Sequence, residues 1–150
     1  MIRRTIEEEL ARNGHGLFQT VGDSMEPLLH NRKSTVVIEG KTSLLKRYDV
    51  ALYRRPSGQY VLHRVVRVLD GAYLIRGDNR ISRERVPQEW VIGVMTGYYE
   101  DERGGYISCG SAKYRKYLRT LKRRYAALWL RAFPKRLEKK LFWKGSDTGR

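Results

Sequence analysis

Short runs in which apolar and polar residues alternate recur along the first 110 residues, and Gly, Pro, Asn or Asp closes most of them. HGLFQTV (15–21), STVVIEG (34–40) and DVALYRR (49–55) read as strands, the last closed by the turn RRPSG. QYVLHRVVRVLD (59–70) is a longer strand. Asp70-Gly71 is a two-residue hairpin signal, and AYLIRG (72–77) returns antiparallel to it. GDNRISRERVPQE (77–89) reads as a polar connection, EWVIGVMTGYYE (89–100) as another strand, and GGYISCG (104–110) as a last short one. Ahead of the strands, Thr5 and Glu8 have capping-box spacing, so a short helix should start there and stop near Asn13-Gly14. Many short strands between turn residues imply a mainly β, compact antiparallel domain over residues 1–110.

The pattern changes after Gly110. Tyr114, Tyr117, Leu118, Leu121, Tyr125 and Leu128 recur at helical spacing, and Pro134 should end or kink that helix, with a second short turn following to Trp143. Charge marks the same boundary. The chain carries +15, yet residues 111–150 hold 14 Lys/Arg against Glu138 and Asp147, while residues 1–110 are nearly balanced. Residues 111–150 therefore read as a basic amphipathic helical tail. Its aromatic stripe can pack on the β domain with the basic face solvated. Basic faces with aromatic edges also suit an anionic membrane surface or a membrane protein, through residues 111–143. Nucleic-acid phosphates are the less favoured partner.

Composition narrows the chemistry. A single cysteine, Cys109, allows no internal disulfide and no cysteine zinc site. His15, His30 and His63 lack metal-ligand spacing, so no metal and no cofactor are expected. The acidic run in MIRRTIEEEL is unlike a signal peptide, and WVIGVMTGYY is too short to span a bilayer as a helix. The expectation is a cytoplasmic protein, or one attached to a membrane face.

VGDSMEPLL (21–29) holds the candidate nucleophile, Ser24, in a run whose Asp, Ser and Pro also suit an ordinary turn. A serine hydroxyl needs a base to take its proton. His63 is the candidate, on the long strand and on one face with Val61 and Val65. On its own, a histidine among valines reads as a core residue satisfied by one hydrogen bond. The Asp70-Gly71 turn, however, pairs His63 with the region of Asp78, and an acid beside a histidine fixes its tautomer. Arg76-Gly77-Asp78 is also the adhesion triplet, a weak match at three residues.

GDSMEP, YDVALY, LHRVV, RGDN and IGVM, in this order over Gly16 to Gly97, resemble the type I signal peptidase and LexA-type peptidase superfamily. His63-Arg64 matches its Ser-His, endoplasmic-reticulum-type branch. The resemblance implies a β-rich peptidase fold without a cofactor, and cleavage of an extended peptide or protein precursor laid against a strand edge. It makes Ser24 the nucleophile, His63 the base, and Asp78 or Glu84 the third member, with Asp78 favoured. Gly22 and Asp23 would bring oxyanion N–H groups to Ser24, Met25 and Pro27 would fix and wall the loop, and Arg64, Gly77 and Asn79 would support it. Gly22-Asp23 follows LexA-type proteins rather than signal peptidases, and Tyr48-Asp49 stands where the family has Gly-Asp. The alternatives are a catalytically inactive peptide-binding or membrane-docking protein of the same fold, and a LexA-like nucleic-acid-associated regulator. About fifteen residues before the first strand are too few for a helix-turn-helix domain. Cys109-Gly110, which resembles a self-cleavage dipeptide, lies after the core.

Overall fold

The expected capping box forms. Thr5 Oγ1 accepts from the Glu8 N–H, the Glu8 carboxylate accepts from the Thr5 N–H, and helix α1 (Ile6–Asn13) ends on Gly14 at φ 76. That left-handed conformation returns the Gly14 N–H to the Leu10 carbonyl, and glycine adopts it without a Cβ clash. The structure, a computed structural model, describes residues 4–144, with side chains described through residue 132.

Eight strands follow: β1 (His15–Gln19), β2 (Thr35–Gly40), β3 (Val50–Arg54), β4 (Tyr60–Val68), β5 (Ala72–Arg76), β6 (Glu84–Pro87), β7 (Val91–Tyr99) and β8 (Ile107–Ser108). They form one sheet in the order β1-β2-β7-β3-β4-β5-β6, with β8 beside β7, and every pairing is antiparallel. The segment expected to be a polar connection contains β6. Its one fully buried residue, Val86, lies opposite Tyr73 of β5. A single apolar position is too little to register as alternation, and the free edge of β5 supplies the backbone pairing instead.

β3 shows how the sheet holds its core. Period-two alternation sends Val50 and Leu52 into a cluster with Met25, Leu29, Ile38 and Tyr98, and Ala51 and Tyr53 into a second one with Val65, Ile75 and Val86. A central strand with both faces covered reads as a continuous apolar run, as VALY does.

The tail is helix α2 (Ala112–Lys144). Tyr114 and Leu121 are buried and Tyr117, Leu118 and Tyr125 half-buried, while Lys116, Arg119, Lys122 and Arg123 are exposed. The apolar stripe through Tyr125 thus packs on the β domain. The helix does not end at Pro134, one of the two outcomes expected there, and is continuous to Lys144. A proline inside a helix costs about 3 kcal/mol, and good helix formers, Leu, Ala, Arg and Lys, flank this one on both sides. The side chains of Phe133 to Trp143, which carry the last part of the basic-aromatic pattern, lie outside the described residues, as does the chain after Lys144. Among the described residues no helix is long and apolar enough to cross a membrane.

Candidate active site

Ser24 sits in the turn that follows β1, and His63 on β4 directly opposite Ala51 of β3. Their side chains meet: His63 Nε2 lies 2.9 Å from Ser24 Oγ. The Ser24 turn is held from beneath by the segment after β5. The Asn79 N–H donates to the Ser24 carbonyl at 2.9 Å, and Asn79 Nδ2 donates to the Asp23 carbonyl at 3.3 Å. Gly77 lies so close that a Cβ there would stand 2.6 Å from the Ser24 carbonyl oxygen and 3.1 Å from Ser24 Cβ. Glycine is needed for that approach.

Around the serine, Gly22 takes φ 95 and donates its N–H to Asn31 Oδ1. The Asp23 carboxylate points to solvent and pairs with Arg80, which holds its pKa below the ordinary value. The Asp23 carbonyl accepts from the Glu26 N–H. Among the described residues, the backbone N–H groups of Ser24 and Met25 carry no hydrogen bond, which leaves them free for an oxyanion. Met25 is buried and walls the site. Pro27, expected to do the same, is exposed and does not line the cleft.

The cleft beside Ser24 has a volume of about 370 Å3. Phe18, Met25, Leu29, Val36, Leu52 and Val61 give it an apolar lining, with Gln59, Tyr60 and Arg55 more polar. Two backbone stretches border it, Gln19–Gly22 at the end of edge strand β1 and Tyr60–His63 of β4. β4 pairs with β5 only from Arg64 onward, so the side of Tyr60–His63 away from β3 has no strand partner among the described residues. Unpaired N–H and C=O groups along an apolar cleft are the surface onto which an extended peptide adds as a strand.

His63 is mostly enclosed. Burial first, and the positive charge of Arg55 second, lower its pKa from the ordinary 6.5, with Glu84 opposing them. A neutral imidazole at neutral pH is the form that accepts a proton from a hydroxyl.

Asp78 does not orient His63. It is fully buried on the other side of β4, where Arg64 Nε and a terminal nitrogen donate to its two oxygens at 2.7 and 2.8 Å. Tyr117 and Tyr125 from α2 donate to the same carboxylate at 2.8 and 3.2 Å. The remaining arm of Arg64 donates to the Tyr48 carbonyl and to Tyr114 Oη. The cause of the displacement is a bulge. Near the turn the β4–β5 partners are Val68↔Tyr73 and Arg67↔Leu74, but beyond Val66 the register slips to Val65↔Ile75 and Arg64↔Arg76. A slip of one residue flips the face, so Asp78 meets Arg64 and not its neighbour His63. With Arg76 and Asp78 both buried, the Arg-Gly-Asp triplet is not displayed as an adhesion ligand.

Glu84 lies on the His63 side but does not touch it. Its carboxylate accepts from Tyr53 Oη at 2.7 Å and from two nitrogens of Arg55 at 3.0 and 2.9 Å. Burial opposes its ionisation, but these donors outweigh burial and keep its pKa below the usual value. The Tyr53 ring stands edge-on to the His63 ring at 6.5 Å. The sequence does not single out Tyr53 or Arg55, and it marks the three tyrosines of α2 as a packing stripe without their role on Asp78 and Arg64. Their signal was faint but physical. Tyr53 alternates with Ala51, the cross-strand partner of His63, and three hydroxyls on an otherwise apolar helical stripe imply a buried acceptor.

No protein-family model matches the chain, and no curated protein matches its sequence.

Proposed function

We propose that this chain is a serine endopeptidase related to the type I signal peptidase and LexA-type superfamily, and that it cuts an extended peptide by a Ser24–His63 mechanism. The observation that carries the reading is the 2.9 Å contact between Ser24 Oγ and His63 Nε2 at the mouth of an apolar cleft. In this reading the peptide adds along Tyr60–Leu62 and sets apolar side chains into the cleft. Ser24 Oγ attacks the scissile carbonyl carbon as His63 Nε2 takes its proton, and the backbone N–H groups of Ser24 and Met25 receive the negative charge on the carbonyl oxygen. The C–N bond then breaks, and the imidazolium returns the proton to the leaving amine. Water, deprotonated by the same imidazole, hydrolyses the acyl ester and restores Ser24.

His63 works here without a carboxylate in hydrogen-bond contact, so the site is a dyad. Glu84 acts on it only through its charge. Arg64 and Asp78 are positioning residues that fix the segment under Ser24.

The test is a comparison of the peptides released from a cell extract by the wild-type chain and by Ser24→Ala, read by mass spectrometry. New termini should appear with the wild type alone. Identical peptide sets from the two proteins would sink the proposal and favour a peptide-binding protein of the same fold.

A further inference from the structure

Away from the Ser24 cleft, a second pocket of about 460 Å3 opens between the sheet and α2. Arg47, Arg67, Arg76, Arg83 and Lys122 line it beside Tyr125, and no carboxylate is among its lining residues. Among the described residues none of these five cations is in an ion pair. Like charges crowded around one cavity repel each other, so the fold bears a cost there that a bound anion would remove.

Arg76 is the second observation. It is only 5% exposed, its guanidinium lies over the Tyr125 ring at 3.7 Å, and one terminal nitrogen donates to the Arg80 carbonyl. Its Nε has no hydrogen-bond partner. A buried guanidinium with neither a carboxylate nor a full set of acceptors is rare in a purely structural role.

We infer that this pocket binds the phosphate group of a multiply charged ligand, held between α2 and the sheet. One carboxylate would leave most of the positive charge uncompensated, whereas a phosphomonoester or diphosphate carries several acceptor oxygens, and the forked donors of arginine match them in pairs. Because Lys122 and Tyr125 come from the helix and the four arginines from the body, the ligand fastens one to the other. The source is a soluble phosphate compound or an anionic lipid headgroup. For the second, exposed Trp129 and Leu130 lie one to two turns further along the same helix. The inference does not rest on the peptidase reading.

The experiment titrates the full chain with sodium pyrophosphate at constant ionic strength, and separately with phosphatidylcholine vesicles containing phosphatidic acid. Arg83→Glu and Lys122→Glu alter exposed pocket residues, while Lys116→Glu and Arg119→Glu make the same charge change on exposed positions outside the pocket. Pocket variants should bind at least about tenfold more weakly, equivalent to about 1.4 kcal/mol, with the control variants close to wild type. Pocket dependence with pyrophosphate alone identifies a soluble ligand, and pocket dependence with vesicles identifies a headgroup. If neither reagent binds, or if pocket and control variants weaken binding equally with both, the affinity is not that of a site and the inference fails.

Discussion

At the scale of single residues, the site turns on the charge state of one imidazole. In the proposed mechanism His63 must be neutral to take the Ser24 proton, so activity should fall as pH drops through its pKa. Burial and Arg55 lower that pKa, which places the acid limb of kcat/KM below 6.5. Two substitutions should move the limb in opposite directions. Arg55→Gln removes a positive charge and releases Glu84, so the limb should move to higher pH. Glu84→Gln removes the carboxylate that favours the imidazolium, so it should move lower. Each displacement should be a fraction of a pH unit to about one unit, because the charges act without direct contact. Equal limbs in both variants would mean that neither group acts on His63. Ser24 and His63 were legible only through the ordered set of motifs over Gly16 to Gly97, since each block alone also reads as a turn or a core histidine. The acid was not. On the register set by the Asp70-Gly71 turn Asp78 would face His63, and only the bulge at Val66 decides that it meets Arg64, while Glu84 reaches the His63 side from β6, two strands away.

At the scale of elements, the serine turn depends on the segment leaving β5. Gly77 passes under Ser24 at a distance that admits no side chain, and Asn79 ties the two backbones together. Gly77→Ala would set a methyl group 2.6 Å from the Ser24 carbonyl oxygen, so the turn must shift. The expected result is a loss of about 1–3 kcal/mol in stability by urea unfolding. The kcat should fall more than the affinity for a bound peptide, since in the proposed mechanism the turn carries both the nucleophile and the oxyanion N–H groups. Unchanged kcat would show that the turn is not tuned by this contact. Most elements were readable from alternation and turn residues, including α1 with its cap and the hairpin at Asp70-Gly71. β6 was not, because one apolar residue makes no pattern, and neither was the continuity of α2 through Pro134, where local propensity and helix context conflict.

At the scale of the whole molecule, the basic tail is part of the folded body at least as far as Tyr125. Tyr114 takes a hydrogen bond from Arg64, and Tyr117 and Tyr125 donate to Asp78, within a fully buried ion pair. Burial, then the Asp78 charge, raise the pKa of Tyr117 and Tyr125 well above the usual range, so both stay protonated donors. The shift in composition after Gly110 marked a boundary in charge, and the stripe of tyrosines across it is what joins the helix to the sheet. Ending the chain at Gly110 removes two hydroxyl donors to a buried carboxylate, worth about 3 kcal/mol together, before any loss of apolar burial. Urea unfolding should show the shortened chain destabilised by at least that amount, and equal stability would contradict a stabilising role for the Tyr117 and Tyr125 bonds to Asp78. The central claim, that Ser24 is a nucleophile activated by His63, is tested most directly by a serine-reactive phosphonate on the intact chain, with the adduct located by mass spectrometry. The expected result is a single adduct on Ser24, none in Ser24→Ala, and labelling slowed by about 100-fold or more in His63→Ala. Labelling of the wild type no faster than of either variant would contradict it.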